Sequence, residues 1–189
     1  MSDENHLHRR THRPQNTPGE AHFLTFSCYR KRSFLARDRT RSYFLKALER
    51  ARRHHHFHLW AYVIMPNHVH VLIYPQRDVY DMAAIETSIK LSVSRRAMAY
   101  LRTHNPEGLR VLATGQTHTP YRFWMSGNGY DENLVSHEAA YAIGQYIHEN
   151  PVRAGLCEAP EAWAWSSARE WAQEGSGPIS IDRDSFPWG

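Results

Sequence analysis

The order strand, helix, strand, strand, helix, strand predicts an α+β fold for this chain. The expected form is a ferredoxin-like βαββαβ antiparallel sheet with helices on one face plus an extra C-terminal helix. Three patterns carry the prediction: a strand-like alternation near residue 25, two long stretches of helical spacing, and between them two apolar runs parted by Pro66-Asn67.

In "HFLTFSCYR", Leu24, Phe26 and Cys28 fall on one side and Thr25 and Ser27 on the other, the period of a half-buried strand. Asp38 stands where a helix N-cap belongs, and Tyr43, Phe44, Ala47, Leu48 and Ala51 recur at helical spacing, so a helix of about four turns is expected. "FHLWAYVIM" is apolar on both faces, as a central strand should be, and Pro66-Asn67 supplies turn chemistry before the strand "HVHVLIY". Ile85, Ile89, Val93, Ala97 and Leu101 step by four through a second long helix, with Lys90, Arg95, Arg96 and Arg102 among its polar positions. Residues 103–120, rich in Asn, Pro, Gly and Thr, read as a loop with a short strand at "RVLA". "YRFWMSGNGYDENLVS" reads as an edge strand or hairpin with a glycine-rich bend. Ser136 caps the last helix, which is expected to end near Asn150 because Pro151 disfavours helical geometry in the residue before it.

A length of 189 residues fits one domain. Residues 21–170 form the expected domain, 1–20 a flexible basic tail and 171–189 a C-terminal tail; four of the six tryptophans, Trp163, Trp165, Trp171 and Trp188, crowd the end of the chain. Hydrophobic residues at 41% and charged ones at 22% exclude a disordered or fibrous chain. No apolar run is long enough to span a bilayer, and the N-terminus carries no secretory pattern. Two cysteines are too few for a disulfide framework, so a cytoplasmic protein is expected. A formal charge of +4, a pI near 9.2 and 14 histidines lean toward an anionic partner such as nucleic acid.

"MPNHVHVL" raises the chemical question. Residues two apart on a strand point the same way, so His68 and His70 share one face while Val69, Val71 and Ile73 take the other. Two imidazoles so held can share a divalent ion, provided a third protein donor completes the site. A bare H-x-H is more often a wet sheet face than a metal site. The run "RRHHHFH" at the end of the first helix reads as a solvated boundary, its cations suiting the carbonyl end of the helix.

"AYVIMPNHVHVLIYP", followed by "YIHENPVRAGL" and "WAWSSA", resembles the REP-associated tyrosine transposases, a branch of the single-tyrosine HUH transposases, over residues 22–168 or so. HUH denotes His, a bulky hydrophobic residue, His; here it is His68-Val69-His70. The resemblance implies that His68 and His70 hold a metal, Mg²⁺ or Mn²⁺, that Asn150 completes the metal site, and that Tyr146 is the nucleophile. Tyr146 and Asn150, four apart, share a helix face, and a carboxamide oxygen suits a hard cation. The implied activity is that of a transposase that cleaves and rejoins single-stranded or hairpin repetitive-element DNA through a 5′-phosphotyrosine, as a monomer or homodimer associated with the nucleoid.

Lys90, Arg95, Arg96 and Arg102, with Arg9, Arg10 and Arg13 of the tail, are candidates to track a phosphate backbone, and Trp124 is a candidate to stack a base. On periodicity alone Tyr146 reads as a packing residue beside Ile143 and Ile147; Tyr130 and Tyr141 are lesser candidates on the same stretch. A degenerate binding module without catalysis and a zinc hydrolase built on the histidine pair are the rival readings, the second lacking a carboxylate ligand at suitable spacing.

Overall fold

The computed structural model describes residues 16–127 and 129–188, so Arg9, Arg10 and Arg13 lie outside it. The alternation near residue 25 becomes β1 (Ala21–Ser27), which pairs antiparallel with β3 (His68–Pro75) on one side and β4 (Tyr130–Leu134) on the other. β2 (Phe57–Ile64) pairs antiparallel with β3, and the sheet order is β2-β3-β1-β4. The two crossovers each skip one strand, which is the split arrangement the strand and helix order predicts.

The pleat sorts the sheet into two faces. Leu24, Phe26, Val69, Val71 and Ile73 meet Phe44, Leu48 and Ala51 of α1 (Asp38–His55) and Ile85, Ile89, Val93 and Ala97 of α2 (Met82–His104). Each buried Leu, Ile, Val or Phe among them contributes roughly 1.5–3 kcal/mol, so this layer is a large part of the stability. On the opposite face Ala21, Phe23 and Leu72 pack with Ala140 and Ile147 of α4 (His137–Arg153). A bulge between Leu59 and Ala61 turns Trp60 toward that second layer, where it stacks on Tyr74 at 4.8 Å.

Three local expectations change. Residues 103–120 contain α3 (Pro106–Leu112): Asn105 caps it by accepting from the Gly108 N–H at 3.2 Å, Pro106 opens it, and "RVLA" runs off its end. α4 continues through Pro151 to Arg153; the proline forgoes one hydrogen bond to the Ile147 carbonyl, but the turn is completed by the Ala154 N–H donating to Asn150. β2, apolar on both faces, is an edge strand rather than a central one.

Its outer edge is covered by the C-terminal segment, which explains the apolar composition. Tyr62 N–H donates to Ser167 Oγ at 2.9 Å, Ser167 N–H returns to the Tyr62 carbonyl, and Ile64 N–H donates to Trp165. Farther along, Leu59 N–H donates to Asp182 and Asp182 N–H to Leu59, while the Trp163 and Trp171 indoles donate to the carbonyls of Ile64 and Trp60. An edge of unpaired backbone groups is thereby closed.

The same segment seats α4. α5 (Ala168–Trp171) presents Trp171, whose ring lies against Gly144; a Cβ there would sit 2.1 Å from the ring. His148 is buried with Nε2 at 2.8 Å from Ser167 Oγ, and burial pushes its pKa down to about 3.

Two outcomes follow from this seating. Because Trp171 is hemmed in by Phe186, Trp188 and His148, Gly144→Ala should destabilise the fold by about 1–3 kcal/mol, read as a lower urea midpoint. Neutral in the fold and protonated below about pH 6.5 when unfolded, His148 stabilises above that pH, and its contribution is lost as pH falls from about 6.5 toward 3. Stability measured by urea unfolding in chelator should therefore fall between pH 6 and 4, and His148→Gln should flatten that slope by about one proton, or about 1.4 kcal/mol per pH unit.

Candidate nucleophile and metal-ligand site

His68 and His70 project from β3 toward α4, next to Ser27 and Thr25 of β1, their register partners. Their face of the sheet is roofed by the helix: His70 is 5% exposed and His68 half-buried. The rings lie 4.7 Å apart, centroid to centroid. Each Nδ1 is already engaged, that of His70 with the Thr25 hydroxyl at 2.8 Å and that of His68 with the Asn67 side-chain oxygen at 2.7 Å. A carboxamide oxygen can only accept, so His68 carries its proton on Nδ1, leaving a free lone pair on Nε2.

From above, α4 brings Tyr146 and Asn150 down on the pair. The Tyr146 ring is 5.6 Å from the His70 ring at 65°, and 6.0 Å from Phe23 edge-on. The Asn150 carboxamide lies beside both imidazoles, and its Nδ2 donates to the Tyr146 carbonyl at 2.8 Å. The amide nitrogen is thus tied back to the helix and the oxygen faces the histidines. Pro151 does not displace it, because the helix persists to Arg153.

Burial lowers the pKa of His70 to about 3, His68 beside it acting in the same direction, and burial with nearby Lys31 lowers that of His68. Both imidazoles therefore stay neutral near pH 7, the form that ligates a metal. Among the described residues no group of three or more His, Cys, Asp or Glu side chains is arranged to hold a metal ion. The carboxamide of Asn150, beside His68 and His70, offers a hard oxygen donor.

Elsewhere the sequence candidates disperse. Arg95 and Arg96 line a groove of ≈ 440 Å³ with Arg50 and His54 between α1 and α2, across the sheet from Tyr146. Arg102 is exposed on the last turn of α2. Lys90 donates to the Gly127 carbonyl at 2.6 Å and lies 5.4 Å from the Phe26 ring. Trp124 is 4% exposed, packed against Phe26, Phe44 and Phe123, with its indole donating to the Lys90 carbonyl. No face of its ring is left for a base. Tyr130 sits near Tyr146, but its hydroxyl donates to Glu132 at 2.6 Å, and burial with that carboxylate raises its pKa to about 12. Tyr141 stacks on Trp171, away from the histidines. His148 faces Ser167, not the tyrosine hydroxyl.

Spacing alone did not point to three neighbours of the site. Thr25 is reached through strand register. Lys31 is brought in by a turn in which Arg30 and Lys31 adopt φ near +55°, docked where Asn67 Nδ2 donates to the Lys31 carbonyl. Arg153 lies with its guanidinium carbon 5.6 Å from the Tyr146 ring centroid. Its signal was present, since residues 146, 150 and 153 form an i, i+4, i+7 stripe once the helix is known to pass Pro151.

Residues 18–150 match the family model described as transposase, IS200 like, a span that ends on Asn150. A chain assigned as a REP-associated tyrosine transposase in Haemophilus influenzae is 28% identical over 160 residues, covering 80% of this chain and 81% of that one. Among solved structures, that of a REP-associated tyrosine transposase bound to a REP hairpin superposes with a TM-score of 0.68 at 17% identity, covering 95% of this chain and 96% of the other. With the family match spanning well over half of its length and the sheet order matching the expected fold, this chain belongs to the IS200-like transposase family.

Proposed function

We propose that the protein cleaves and rejoins single-stranded DNA flanking a hairpin, with Tyr146 as nucleophile and a divalent cation at His68, His70 and Asn150. The observation that carries this is the convergence of a tyrosine ring, two neutral imidazoles and a carboxamide between β3 and α4. Two neutral nitrogens and one oxygen suit Mn²⁺ or Mg²⁺. When bound, the cation supplies Lewis-acid stabilisation of charge on a non-bridging phosphate oxygen.

The residues of the chain account for the rest. The Tyr146 oxygen forms a bond to phosphorus, the bond from phosphorus to the 3′ oxygen breaks, and the strand carries a free 3′-hydroxyl while its 5′ phosphate stays on the tyrosine. The half-buried phenol gives its proton to solvent, and the departing 3′ oxygen takes one up, so charge and protons balance. Phe23 packs edge-on against the tyrosine ring and limits its swing. Thr25 and Asn67 hold the two imidazoles in place. No water enters the bond exchange, so rejoining is the same step reversed.

DNA is the partner suggested both by the basic charge and by the hairpin in the similar solved structure. The Arg50, His54, Arg95 and Arg96 groove has no carboxylate in its lining and faces away from Tyr146. It suits backbone contacts to the duplex stem rather than to the cleaved strand.

Incubated with labelled hairpin DNA bearing single-stranded flanks and Mn²⁺, the protein should form a denaturation-resistant adduct. Tyr146→Phe should abolish it, and His68→Ala should abolish it while DNA binding persists; an equal adduct from Tyr146→Phe refutes the assignment. Thr25→Val keeps the strand shape but removes the His70 partner, so Mn²⁺ affinity measured by calorimetry should fall by about 10–100-fold.

A further inference from the structure

We infer that Arg153 is a further catalytic residue: its guanidinium holds the phosphate that Tyr146 attacks and balances the charge that builds during the exchange. This rests on the proposed tyrosine chemistry and assigns a role to a side chain outside the metal-ligand set.

Four observations place it there. Arg153 follows Tyr146 by seven residues and Asn150 by three, so the three occupy one stripe of α4. Its guanidinium carbon is 5.6 Å from the Tyr146 ring centroid, and the side chain is exposed, able to reach a ligand from the open side of the pocket. Among the described residues it makes no ion pair, unlike Arg41, Arg52, Arg53 and Arg110. The β1 and β3 side chains facing the tyrosine include His70, His68 and Thr25, all neutral, and the nearby Glu132 carboxylate is engaged by the Tyr130 hydroxyl.

An unpaired guanidinium beside a nucleophile meets the geometry of a phosphate, whose oxygens accept from its planar fork. In the exchange the new bond from the Tyr146 oxygen and the breaking bond to the 3′ oxygen both load negative charge on the phosphoryl group, and the cation is worth most at that moment. Contact with the tyrosine ring keeps the guanidinium over the reacting face at little entropic cost.

The test uses the full-length protein and the labelled hairpin with Mn²⁺, first mapping the cleaved step with the wild type. Arg153→Gln should slow adduct formation by on the order of 10²-fold while DNA affinity changes by less than about 3-fold, and Arg153→Lys should recover part of the rate. On DNA with a neutral methylphosphonate at the cleaved step, the gap between wild type and Arg153→Gln should collapse to within about 3-fold, because the charge that Arg153 reads is gone. A wild-type rate in Arg153→Gln overturns the inference, and so does the same gap on both substrates, which would mean that the residue only props the tyrosine ring. Parallel loss of DNA affinity and rate assigns it to docking and overturns the inference too. No adduct from the wild type on any hairpin overturns the tyrosine chemistry as a whole, an outcome distinct from the others.

Discussion

The hydroxyl of Ser167 is where the site depends on the rest of the molecule. It accepts from the Tyr62 N–H of β2 and lies 2.8 Å from His148 Nε2, linking sheet edge, C-terminal segment and α4 in one buried contact. Hydrogen bonds of this kind are worth only about 1 kcal/mol net, but leaving a buried partner unmade costs about 1–3. Trp171 against Gly144 adds shape to the same seat. With the helix fixed at these two points, one turn apart, the stripe bearing Tyr146, Asn150 and Arg153 has a single placement over β3.

The sheet supplies the other half by register. β1 pairs Thr25 with His70 and Ser27 with His68, so the strand that supports the core on its α1 and α2 face orients the imidazoles on the opposite one. On the helical side His22 is locked between Asp131 and Tyr80, tying β4 and the start of α2 to β1. The two imidazoles are therefore held on the central strands of the sheet and the tyrosine and carboxamide on a long helix. Such sites hold their geometry better than ones carried by mobile segments. Cation placement follows the same division: Arg153 and Lys31 are on the tyrosine side, Arg95 and Arg96 behind the sheet.

Much of this was legible in the residues, and the parts that were not have physical reasons. The strand and helix patterns located β1, β2, β3, α1 and α2, β4 falls within the stretch expected to be an edge strand or hairpin, and Ser136 caps α4 as its residue type suggests, accepting from the Ala139 N–H. The family resemblance named His68, His70, Tyr146 and Asn150, and the fold brings all four together between β3 and α4. β2 looked central because period alone cannot tell burial by a neighbouring strand from burial by a returning C-terminal segment. α3 looked like a loop because its composition outweighed the signal of Asn105-Pro106 as cap and first residue. The basic residues of α2 could be recognised as polar, but which side of the sheet they occupy is a property of the crossover, not of their spacing. Thr25 became visible only with the pairing of β1 and β3.

The central claim is that Tyr146, seated by Ser167 and Trp171, is the atom donor that takes the DNA strand. Proteolysis of the covalent adduct followed by mass spectrometry tests it most directly. A nucleotide mass on the peptide at Tyr146, joined through a 5′ phosphate and accompanied by a released strand ending in a 3′-hydroxyl, is the predicted result. A nucleotide on Tyr130, Tyr141 or any other residue, or a released strand ending in a 3′ phosphate, would contradict it.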